Sequence, residues 1–66
     1  MNTEFHPPTY EITVRYTDAD GAQYTQSHFV WDAKRFIQAR MDEANDENEK
    51  YRLKHNRPGS AKVELL

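Results

Sequence analysis

The residues of this 66-residue chain that could do chemistry are few and scattered. Its three histidines are His6, His28 and His55, and none stands at a helical i, i+4 spacing from another. A zinc site needs three or four ligands converging on one point, which these positions do not supply. Ser27 and His28 are neighbours in a segment that reads as a strand. Successive strand side chains point to opposite faces, so this pair is not a nucleophile beside its base. Asp18-Ala19-Asp20-Gly21 opens like a calcium loop, but the twelfth position from Asp18 is Phe29, where such a loop needs glutamate. A turn accounts for it better. There is no cysteine, and only two glycines, so thiolate chemistry and a glycine-rich phosphate cradle are both absent. The expectation is a non-enzymatic chain with no cofactor and no metal.

Charge is more informative than the net value of −2. Residues 42–49 carry five acids and no base, and residues 50–57 carry four bases and no acid. The plain account is a solvated helix end with i, i+4 pairs such as Asp46 with Lys50. The functional account is that Asp42, Glu43, Asp46 and Glu47 present carboxylates to a basic partner. The alternative uses Lys50, Arg52, Lys54 and Arg57 on phosphates, with Tyr51 stacking on a base. A pI near 5.8 weighs against nucleic acid. Trp31 is the remaining candidate, either a contact anchor or a lid on the local core.

These residues must be carried by short elements. Tyr10–Tyr16 alternates apolar and polar with a period of two, the pattern of a half-buried strand. Thr17–Gly21 reads as a hairpin turn. A second strand follows from Ala22 to Val30. Its parity is irregular, so either a bulge near Gln26-Ser27 brings Phe29 to the side of Tyr24, or Phe29 or Trp31 faces outward. Asp32 is suited to cap a helix whose stripe is Ala33, Phe36, Ile37, Arg40, Met41 and Ala44. Beyond Ala44 the stripe has no apolar residue until Tyr51. We expect the helix to continue to about Leu53, with its second half the more loosely held. Residues 55–60 break it, and Ala61–Leu66 alternates as a short last strand. Residues 1–9 read as a flexible tail.

The order is β-β-α-β, one small α+β domain in which a helix covers one face of a three-stranded sheet. Sheet order 2-1-3 places the strongest strand in the centre, and 1-2-3 is the runner-up. The last strand then runs antiparallel to the first and parallel to the second. The expected core is Tyr10 or Ile12, Val14, Tyr16, Tyr24, Phe29, Phe36, Ile37, Met41, Ala44, Val63 and Leu65. The outer face carries Glu11, Thr13, Arg15, Gln23, Thr25 and Ser27 and is without aromatics. So small a core favours a partner or self-association.

In length and in the element order of Tyr10–Leu66, the chain resembles the small β-β-α-β proteins of bacteriophages and other mobile elements, anti-CRISPR proteins among them. The resemblance implies a protein that binds and blocks a host protein of bacterial defence or nucleic-acid handling. A weak nucleic-acid binder and a homodimeric structural domain are the other readings. Strand two has no charge or proline along 23–29, so a homodimer or a partner strand is expected on that edge. No apolar run suits a membrane span, and the lack of cysteine fits a cytoplasmic location.

Overall fold

The computed structural model describes residues 8–66; the expected tail, with His6, falls largely in the residues outside that range. The elements are β1 (Tyr10–Thr17), β2 (Gln23–Val30), α1 (Ala33–His55) and β3 (Lys62–Leu65). They form one three-stranded sheet in the order β2-β1-β3, with β1 antiparallel to both neighbours. The small α+β domain expected from the pattern is therefore what the chain forms.

Local chemistry explains each boundary. In the β1–β2 turn, the Asp18 carboxylate accepts the backbone N–H groups of Asp20 and Ala22, both at 2.9 Å. Gly21 takes φ +92°, a conformation that costs glycine little. Asp32 caps α1 by accepting the Arg35 N–H at 3.0 Å. At the other end Asn56 turns left-handed, φ 55°, and its N–H closes on the Arg52 carbonyl at 2.8 Å. The helix thus runs past Leu53 to His55.

The β1–β2 register is unbroken from Tyr10↔Val30 to Thr17↔Gln23, so the bulge considered near Gln26-Ser27 does not form. Without it, parity is decisive. Val30, His28, Gln26 and Tyr24 share the helix-side face with Tyr10, Ile12, Val14 and Tyr16. Phe29 falls on the opposite face and is 73% exposed. That corrects its place in the expected core, and also the expectation of an outer face without aromatics.

The core is smaller than expected. Val14 is wholly buried, flanked by Gln26 and Leu65, and Val30 and Ala61 are also buried. Tyr10, Tyr24 and Leu65 lie on the helix side yet are each more than half exposed, and Met41 is exposed on the helix. The path of α1 explains this. Only two residues separate its start from the end of β2, and there Phe36 meets the His28 ring at 4.7 Å. Its second half is fastened at the start of β3. The helix therefore crosses the sheet diagonally and leaves two opposite corners open. One is at Tyr24, near the start of β2; the other is at Leu65, near the end of β3.

Candidate functional site

The corner at Tyr24 is a groove of about 430 Å³ between sheet and helix. Tyr16, Tyr24, Gln26 and His28 line it from the sheet, and Arg40, Glu43, Ala44 and Glu47 from the helix. Alternation along β1 and β2 brings the aromatics together: Tyr16 and Tyr24 are directly paired across the strands and stack at 5.1 Å. Tyr16 Oη lies 2.6 Å from His28 Nε2. Burial raises the Tyr16 phenol above its ordinary value of 10.0, so it stays neutral at pH 7. Arg40 sits over the Phe36 ring at 4.9 Å and donates from one terminal nitrogen to both Glu43 oxygens, at 2.9 and 3.2 Å. Its Nε is buried and has no hydrogen-bond partner among the described residues.

The groove also borders Asp18 and Lys62. Two of its charges are spoken for: Arg40 by Glu43, and Lys62 by Glu64 at 2.8 Å. Asp18 and Glu47 remain, so the groove is acidic in balance and carries an exposed aromatic wall.

A second feature adjoins it. Leu66 N–H donates to the Thr13 carbonyl at 2.9 Å, so the odd residues of β1 bond towards β3 and the even ones towards β2. The β1–β2 register then directs the N–H and C=O of Tyr24, Gln26 and His28 to β1. Those of Gln23, Thr25, Ser27 and Phe29 point out of the sheet, and no described strand meets them.

The sites expected from sequence are distributed as follows. Asp42, Glu43, Asp46 and Glu47 are all exposed and, as two i, i+4 pairs offset by one residue, spread over about 140° of the helix circumference. Only Glu43 and Glu47 reach the groove. Asp42 accepts from Gln38 at 3.0 Å. Asp46 does not form the expected pair with Lys50; the helix ion pairs are Arg40–Glu43 and Glu49–Arg52, both i, i+3. Of the basic set, Arg52 is held bidentate by Glu49 and Arg57 donates to the Tyr51 hydroxyl at 2.8 Å. Hydrogen bonding and attraction to Arg52 lower the Glu49 carboxyl, and the same contacts raise Arg52. Lys50 and Lys54 are left exposed, a thin footing for phosphate contacts. Trp31 is 58% exposed, more an open surface than a lid. His28 and His55 lie on separate elements, and no group of three or more potential ligands among the described residues could hold a metal ion. No helix among them is long and apolar enough to cross a membrane.

Sequence reasoning missed Tyr16, Tyr24 and Arg40 as one cluster, having assigned the tyrosines to the core. The cross-strand register that pairs them was the available signal. No protein-family model, curated protein or solved structure matches the chain.

Proposed function

We propose that the chain is a non-enzymatic protein-binding module that takes up an extended segment of another protein along β2. The observation that carries this reading is the outer edge of β2. Four residues, Gln23, Thr25, Ser27 and Phe29, direct backbone donors and acceptors outward along a strand with no acid, lysine, arginine or proline. Open edges of this length are usually blunted by charge, proline or cover. An edge left open is the template for strand addition, in which main-chain hydrogen bonds give affinity and alternate side chains give selectivity. Exposed Phe29 and Trp31 extend the surface beyond the strand end. A protein of nucleic-acid handling, whose surfaces are basic, is a fitting target for the acidic groove beside this edge.

Site-specific photo-crosslinkers at Thr25 and, as a control, at Glu64 test it. The protein captured at position 25 is purified and mixed with the chain. Amide hydrogen exchange at Thr25 and Ser27 is expected to slow at least tenfold, with little change at Glu64. No adduct at position 25, or a partner that leaves those amides exchanging as in the free chain, overturns the reading.

A further inference from the structure

Resting on that reading of β2, we infer that the docking segment is basic, and that one of its lysine or arginine side chains lies in the groove against Tyr24. A strand added beside β2 presents alternate side chains to each face of the extended sheet. Those on the helix side stand next to Tyr24, Gln26 and His28, at the mouth of the groove. The walls there suit a cation. The Tyr24 ring is backed by Tyr16 at 5.1 Å and is 58% exposed, so its face is available to an ammonium or guanidinium group. Across from it, Glu47 lies on the groove wall, and its carboxylate makes no ion pair or hydrogen bond with the side chain of another described residue. Asp18 supplies a second carboxylate at the upper end.

An acidic segment fits poorly. The cations of the groove, Arg40 and Lys62, are already committed to Glu43 and Glu64. An incoming carboxylate would face the carboxylates of Glu47 and Asp18, and the cations it met would already be partly neutralised by those pairs. The Tyr16 phenol, neutral at pH 7 and raised further by burial, adds no charge of its own. A second copy of the chain fits less well too. Its own 23–29 segment carries Tyr24, Gln26 and His28 on that face and brings no lysine or arginine to the groove.

The probes are two blocked nine-residue peptides of alternating threonine and a charged residue, lysine in one and glutamate in the other. Affinity is followed by titration in dilute buffer and in salt, and the docking position by exchange of the Thr25 and Ser27 amides. The lysine peptide is expected to bind, to slow both amides, and to weaken with salt. Glu47→Gln should weaken it roughly twofold to fivefold, and Tyr24→Ala by about fivefold, with Thr25 and Ser27 still protected at saturation. Both are surface changes, and circular dichroism checks that each variant is folded. If the glutamate peptide binds as well or better at those amides, the basic segment is wrong and the β2 edge still stands. If the lysine peptide binds without slowing them, the edge reading itself fails. Slow exchange there in the chain alone, with a dimer in sedimentation, makes a second copy the occupant and overturns the inference.

Discussion

The sheet has two edges, and the chain treats them oppositely. β3 is four residues long, carries Lys62 and Glu64, and is fastened to the helix. Glu64 also reaches Arg15 on β1 at 3.0 Å, directly across the register. β2 is eight residues long, and its only polar side-chain links among the described residues are Thr13–Ser27 and Gln23–Thr17, both at 3.3 Å, and Tyr16–His28. Among the described residues, the short length and the charges that discourage pairing are on β3 and not on β2. The proposed docking along β2 rests on this asymmetry.

The largest expected effect removes both edges by breaking what separates them. Val14 is wholly buried and directly opposite Gln26 on one side and Leu65 on the other. Val14→Asp buries an unpaired carboxylate, and the fold should be lost, a cost above about 4 kcal/mol. A thermal melt resembling that of the parent would mean the central strand faces the other way.

The next effect is confined to β3. The Asn48 side-chain amide donates to the Ala61 carbonyl at 2.8 Å and accepts the Ala61 N–H at 2.7 Å. Asn48→Ala leaves both backbone groups of buried Ala61 without partners, so a loss of about 2–4 kcal/mol follows. Gly59→Ala attacks the same joint, since its Cβ would stand 2.5 Å from Asn48 Oδ1 and 3.2 Å from the Asn48 Cα. In both variants amide exchange should quicken at 62–66 before it does at 23–30. Faster exchange first in β2 would reverse the comparison.

A smaller effect probes β2 itself. Gln26 bonds inward to buried Val14 and Thr25 points outward, although they are neighbours. Gln26→Pro deletes the donor to the Val14 carbonyl and should cost about 1–3 kcal/mol more than Thr25→Pro, which removes no bond to β1. Denaturant melts compare the two directly. A larger loss from Thr25→Pro would place the outward groups on the even residues.

What the sequence made legible follows from these contrasts. The alternation of Tyr10–Tyr16 was strong because β1 has neighbours on both sides and a helix across one face. The order 2-1-3 followed from that. Strand two was harder to read because its pattern answers to a face only half covered: Tyr24 and Phe29 are both exposed, on opposite sides, so no burial signal distinguished them. The helix end was read as weakly held because apolar residues are missing between Ala44 and Tyr51. Its anchor is polar. Asn48 stands on the inner stripe, four residues after Ala44 and three before Tyr51, and a side-chain amide bonding to backbone leaves no trace in hydropathy. Arg40 was read only as one member of the helix stripe. The diagonal path of α1 instead folds the guanidinium over Phe36 and onto Glu43, which only the tertiary arrangement could reveal.

The smallest effect separates the two edges by pH. Hydrogen bonding and attraction to Lys62, with a further contribution from Arg15, hold the Glu64 carboxyl below its ordinary value of 4.5. The folded chain then binds fewer protons at this group than the unfolded chain does near that pH, so stability rises with pH there. The contribution is fully present above pH 4.5 and is lost as pH falls through the lowered folded value. Between Gln23 and Val30 there is no carboxyl, so the open edge has no matching acid dependence of its own. Glu64→Gln should therefore be slightly less stable than the parent at pH 7 and should converge with it on acidification. Glu49, also lowered by its arginine, remains in both chains and cancels in the difference. Denaturant melts from pH 7 down to pH 3 measure the gap. A gap that stays constant with pH would show that the Lys62–Glu64–Arg15 group does not finish the β3 edge in solution.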